Sequence, residues 1–248
     1  LKTFRNILER ADNPKGRWSK NYPGTRPLRS FSLPMILSNL AKVIEHMLEP
    51  EMIEEITANC INEVMNVFYN QEYGFVLENV TPDGHFSDSF EGRLLNPGHA
   101  IEAMWFMLDL AKRNNDKALA ERAASIALHT LSNGWDHEFG GIYYFMDVRG
   151  NPVQQLEWDQ KLWWVHIETL ITLAKAYRMT RKSECLEWFN IVDKYTWEHF
   201  PDPQYGEWYG YLNRRGEVLL PLKGGKWKGC FHVPRGLLQV WKTLDNDC

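Results

Sequence analysis

Apolar residues recur with a helical period in seven stretches of the chain, and six of the seven come in pairs. Residues 33–48 pair with 51–69, residues 161–179 with 183–200, and residues 100–113 with 118–131, the last pair separated only by NNDK. A seventh stretch, 233–244, has no partner after it. The first helix of each pair is apolar on nearly all sides, as in LWWVHIETLITLA, whereas the second carries charge on one face. That contrast predicts an inner and an outer helix in each pair.

The pairs are joined by segments that resemble one another: NQEYGFVLENVTPDG (70–84), HEFGGIYYFMDVRG (137–150) and DPQYGEWYGYLNRRG (202–216). Each opens on an aromatic residue followed by glycine, at Tyr73, Phe139 and Tyr205, and closes on a turn glycine, at Gly84, Gly150 and Gly216. The aromatic and β-branched run between them predicts a small hairpin. The three segments are evenly spaced, with a period of about 66 residues. One helix pair cannot bury its apolar face alone, so such units stack into a solenoid or close into an all-α, α/α toroid. At this period 248 residues make about 3.75 units. A ring of six pairs needs about 400 residues. The expectation is therefore a single domain over 1–248 that supplies the last two thirds of a ring, with residues 1–32 as a remnant outer helix and a basic loop. The first residue, Leu1 rather than Met, agrees with that expectation.

The composition is globular, 44% hydrophobic and 24% charged. Aromatics reach 13%, including 11 Trp, and buried indoles need partners, so some of them are expected to line a cavity. A net charge of −4 gives no field for nucleic acid or anionic lipid. No apolar run reaches the roughly 18 residues of a membrane span, and LKTFRNILER lacks the regions of a signal peptide, so a cytoplasmic location is expected. The four cysteines, Cys60, Cys185, Cys230 and Cys248, are too sparse for a disulfide scaffold and are expected as free thiols.

Three of the histidines keep the repeat: the step from His166 to His232 equals the period, and the step from His99 to His166 exceeds it by a single position. Each follows its turn glycine, Gly84, Gly150 or Gly216, with nearly the same lag. That places it near the start of an inner helix, where ring symmetry brings equivalent positions to one rim. A structural role for each histidine is the alternative. His46, His129 and His199 read as helix-end or surface residues. Glu102, Glu168 and Arg235 lie two or three positions from these histidines, with Trp105, Trp163 and Trp164 nearby. The tryptophans suit either inner packing or the C–H faces of a sugar. Imidazoles titrate near working pH, which suits removal and return of a proton beside a carbonyl, and two on opposite faces of an enolate could invert a stereocentre. There is no H-E-x-x-H motif or Cys/His cluster for zinc, although three convergent imidazoles could hold a metal. Glycoside hydrolysis would instead need two opposed carboxylates.

The strings GRLLNPGHAIEAMWF (92–106), GWDHEFGGIYYF (134–145), QLEWDQKLWWVHIETL (155–170), FPDPQYGEWYGYL (200–212) and LKGGKWKGCFHVPRGL (222–237) closely resemble the N-acylglucosamine 2-epimerase family, called renin-binding protein in vertebrates. The resemblance implies an (α/α)6 barrel that interconverts N-acetylglucosamine and N-acetylmannosamine through the ring-opened sugar. It implies His99 and His232 as the two catalytic histidines, and Glu102, Trp163, Trp164, His166, Glu168 and Arg235 in the sugar pocket. No metal is implied. ATP is implied as a non-consumed effector, the assembly as a homodimer, and renin as a partner if the source is a vertebrate. Related cellobiose 2-epimerases and mannose isomerases carry a further histidine on the inner helix where this chain reads LPMILSNL, which favours an N-acetylhexosamine. Other sugar epimerases or aldose–ketose isomerases of the barrel, and a non-catalytic scaffold for protein binding, stand as alternatives. The basic segment 13–29 occupies the place of the family's nucleotide-linked loop, with Lys15 and Arg17 as effector contacts or simply as part of a solvated loop. The family's N-terminal third, including a pocket arginine, has no counterpart here, so the chain alone is expected to be an aggregation-prone partial ring without full activity.

Overall fold

The computed structural model describes residues 1–11 and 24–245. Lys15 and Arg17 lie outside the described residues. The elements run α1 (Lys2–Leu8), β1 (Arg29–Ser30), α2 (Ser32–Val43), α3 (Pro50–Asn62), β2 (Tyr69–Asn70), β3 (Phe75–Val76), β4 (Asn79–Val80), β5 (Leu94–Leu95), α4 (Pro97–Asn114), α5 (Lys117–Gly134), β6 (Met146–Asp147), β7 (Lys161–Leu162), α6 (Trp163–Thr180), α7 (Ser183–His199), β8 (Tyr211–Leu212), β9 (Val218–Leu220) and α8 (Val233–Leu244). The helix expected over 33–48 ends at Val43 and continues as a 3-10 turn, and α3 runs into a π-helical turn at Glu63–Val67.

The inner helices pack side by side, α2 on α4, α4 on α6 and α6 on α8, with α3, α5 and α7 outside them. The two middle inner helices carry the core. Met104, Leu108, Ile167 and Ile171 have no exposed surface, and truncating such a side chain to Ala costs about 2–5 kcal/mol. Asn96 starts α4 by accepting the His99 backbone N–H at 3.1 Å, with Pro97 in the first turn, and Asp116 caps α5 through Leu119 N–H at 2.9 Å. Local chemistry therefore sets where α4 begins, and so where His99 stands.

The repeat is written into the hydrogen bonds of the loops. Asn70, Asp136 and Asp202 each accept, at the side-chain oxygen, the N–H of the aromatic residue three positions on. Their carbonyls accept the N–H of Gly74, Gly140 and Gly206, whose φ values of 76°, 74° and 70° favour glycine. The first turn of each segment closes a local antiparallel contact, Tyr69 opposite Val76, Trp135 opposite Ile142 and Pro201 opposite Trp208, again in step with the repeat.

The second half of each segment departs from the simple hairpin expected. It pairs with the strand that leads into an inner helix: Arg29 opposite Val80, Leu95 opposite Met146, Lys161 opposite Leu212. These contacts join successive units, because the short strands before α2, α4 and α6 have their own backbone donors to satisfy. Only β9 continues locally, from β8. No helix among the described residues is long and apolar enough to cross a membrane.

Candidate active site

Two of the three histidines in the repeat meet. His99, in the first turn of α4, and His232, immediately before α8, line one cavity of 440 Å³ together with Trp163 and Trp164 from the start of α6, Tyr144 from the loop before β6 and Tyr211 from β8. The indole of Trp164 stands 5.2 Å from the His99 ring and 5.7 Å from the His232 ring. Burial pushes the Tyr144 hydroxyl up to about 12, so it remains a protonated donor at neutral pH.

Each imidazole is held by a carboxylate at Nδ1. His99 Nδ1 lies 3.1 Å from both oxygens of Glu78, and His232 Nδ1 lies 2.7 Å from Oε1 of Glu168. A carboxylate accepting from Nδ1 fixes the tautomer and leaves Nε2 as the reactive nitrogen. Among the described residues neither Nε2 has a hydrogen-bond partner. For His99, burial opposes the charged ring, but the charge and hydrogen bond of Glu78 outweigh it and hold the ring above its ordinary pKa.

Behind His232 lies a layer of buried charge. Glu168 is fully buried, accepts the Trp105 indole N–H at 2.8 Å, and is bonded through Oε1 to Arg235. Glu102, also buried, lies 3.9 Å from the same Arg235 nitrogen. Burial, followed by the charge of Glu168, pushes the Glu102 carboxyl well above the usual carboxylate range, while Arg235 opposes the shift. Oxygens of Glu102 and Glu168 and a ring nitrogen of His232 fall within 4.8 Å of one another, but the Arg235 guanidinium already supplies the positive charge on this carboxylate pair.

His166 does not join the cavity, contrary to the convergence expected from its position. It is fully buried, with Nδ1 2.8 Å from the Leu162 carbonyl and Nε2 accepting Ile142 N–H at 3.2 Å, and its ring stacks on Tyr195. Burial pushes its pKa down to about 3, so the ring is neutral. The three histidines stand at different places relative to their helix starts: His99 is the third residue of α4, His166 the fourth of α6, and His232 immediately precedes α8, so equal spacing in the chain does not give them a common direction. His129 and His199 tie loops to outer helices, through Tyr73 O at 3.3 Å and Gly216 O at 3.1 Å.

Of the expected site residues, His99, His232, Trp163 and Trp164 line the cavity, while Glu102, Glu168 and Arg235 form the layer behind it. Sequence reasoning missed Glu78 and Tyr144, which occupy the same column of successive repeats. That column could have exposed them, since it varies from Glu78 to Tyr144 to Gly210 inside otherwise similar segments.

The family model described as N-acylglucosamine 2-epimerase (GlcNAc 2-epimerase) matches residues 2–233. The chain is 41% identical over 241 residues to the N-acylglucosamine 2-epimerase of Bos taurus, covering 95% of this chain and 56% of that protein. Among solved structures, a D-mannose isomerase superposes with a TM-score of 0.74 at 18% identity, over 90% of this chain and 58% of the other. The cellobiose 2-epimerase of Spirochaeta thermophila does so with a TM-score of 0.71 at 18% identity, over 91% and 55%. The chain thus has the helix-pair barrel architecture of these proteins and spans about half the length of the curated relatives it matches.

Proposed function

The chain belongs to the N-acylglucosamine 2-epimerase family, and from that premise we propose that its cavity interconverts N-acetylglucosamine and N-acetylmannosamine by moving a proton at C2 of the open-chain sugar. The observation that carries the reading is the pair of carboxylate-held imidazoles, His99 and His232, that line one cavity with the Trp164 ring 5.2 and 5.7 Å from theirs. A volume of 440 Å³ falls within the range of about 300–1,000 Å³ of small-molecule sites.

The aldehyde at C1 acidifies the C2–H bond. One Nε2 takes the proton, the bonding electrons form the C1–C2 enolate, and the charge passes to O1. The other imidazole returns a proton to the opposite face of C2, the electrons fall back, and the carbonyl is restored with C2 inverted. No oxidant or reductant is consumed. Tyr144 lines the same cavity as a neutral donor suited to the enolate oxygen. The tryptophan faces suit the sugar's C–H groups.

The test is conversion of N-acetylmannosamine to N-acetylglucosamine by the purified protein in excess EDTA, with His232→Asn as control. Turnover in the wild-type protein and its loss in a folded variant support the reading, whereas loss on chelation favours a metal-dependent isomerase. The family resemblance supports ATP as an effector and a homodimer, which turnover with and without ATP and sedimentation of the protein test.

A further inference from the structure

The two histidine–glutamate pairs are not equivalent. Glu168 divides its charge: Oε1 is shared between His232 Nδ1 and Arg235, Oε2 accepts the Trp105 N–H, and Glu102 lies on the far side of Arg235. Glu78 has no such competitor. Among the described residues its side chain bonds only to His99, through both oxygens at 3.1 Å. The other groups around His99 add no second fixed charge in contact with it: the Trp164 ring faces it from α6, and Tyr144, Tyr211 of β8, Glu157 and His232 line the same cavity.

We infer that Glu78 is the positioning residue that holds the resting proton on His99, so that the cavity waits with His99 as acid and His232 as base. The inference rests on the epimerase reading above. A carboxylate with one partner favours a cation beside it, whereas Arg235 already neutralises the carboxylate that His232 contacts. The C2 epimer whose hydrogen faces His232 therefore meets an enzyme ready to react: His232 Nε2 removes the proton and His99 Nε2–H delivers one to the other face. The reaction leaves His99 neutral and His232 charged, and exchange of one proton with water resets the pair. The opposite epimer must wait for the minority form.

The experiment is a ¹H–¹⁵N titration of the two imidazoles in the wild-type protein, assigned with His99→Asn and His232→Asn, and repeated in Glu78→Gln and Glu78→Asp. The expected result is that His99 titrates above His232, that Glu78→Gln moves the His99 midpoint down, and that Glu78→Asp restores part of it. In turnover, Glu78→Gln is expected to lower kcat about tenfold or more with little change in KM, and to shift the alkaline limb of the pH profile down with the His99 midpoint. His232 titrating above His99, or a His99 midpoint unmoved in Glu78→Gln, overturns the inference. The wild-type titration decides the question even if Glu78→Gln fails to fold. If the protein turns over no sugar yet His99 still titrates above His232, the proton assignment stands and the epimerase reading falls.

Discussion

His232 Nδ1 lies 2.7 Å from Oε1 of Glu168, a carboxylate with no exposed surface. A buried charge persists only when paired, and here His232, Arg235 and Trp105 together pair it. Glu168→Gln keeps an acceptor for the imidazole but breaks the ion pair with Arg235 that holds this carboxyl, and with it the ring, in place. The expected outcome is a fall in kcat of about a hundredfold, measured by epimer conversion, with the far-ultraviolet dichroism retained. Turnover at the wild-type rate would show that the pair is structural.

Gly98 sits where a Cβ would fall 2.6 Å from Trp164 and 2.7 Å from Val165. Gly98→Ala gains helix propensity but drives a methyl into the indole that contacts both histidine rings. The clash costs about 1–3 kcal/mol, and the displaced ring is expected to cost more in turnover than in melting temperature. Thermal unfolding and kcat measured on one sample give the comparison.

His166 makes stability depend on acid. Its pKa is pushed down to about 3 in the folded protein against 6.5 for a free imidazole, so between those values the unfolded chain binds the extra proton. Stability is therefore full above pH 6.5 and declines as the pH falls toward 3, by about 3 kcal/mol at pH 4. Denaturant unfolding at pH 7, 5.5 and 4 should show this slope. His166→Gln should be less stable at pH 7, having lost its fit between Leu162 and Ile142, with a flatter acid dependence.

Asp136 and Lys161 form an ion pair of 3.1 Å with both side chains fully buried, and Arg214 adds a second contact to Asp136 at 2.9 Å. These two cations and backbone N–H groups hold Asp136 well below the usual carboxylate range despite the cost of burial, and burial pushes Lys161 down to about 8. Asp136→Asn strands the lysine and should destabilise the protein by about 3–5 kcal/mol in urea. Adding Lys161→Met should recover part of that loss.

Much of this architecture is legible in the sequence, because the repeat is chemical as well as hydrophobic. The column Asn70, Asp136 and Asp202 supplies the same turn bond three times, and the glycines after the aromatics mark backbone of positive φ. The inner helices follow from those intervals. Three features do not. Strands such as Leu95 with Met146 pair across units, and a local turn pattern says nothing about a partner beyond the intervening helix pair. His166 and His232 are one exact period apart, yet His166, the fourth residue of α6, is buried while His232, just before α8, reaches the cavity, a difference in helix start that the spacing does not record. Glu78 lies in a loop well before His99 in the chain, and only the fold of that loop over the start of α4 brings the two together.

The most direct measurement is the fate of the C2 hydrogen. Incubation of the protein with N-acetylmannosamine in D2O, read by NMR, should place one deuterium at C2 of both epimers, and His99→Asn and His232→Asn should each abolish interconversion while the fold persists. Interconversion that keeps the original hydrogen at C2, or that proceeds undiminished without either histidine, would contradict proton transfer by this pair.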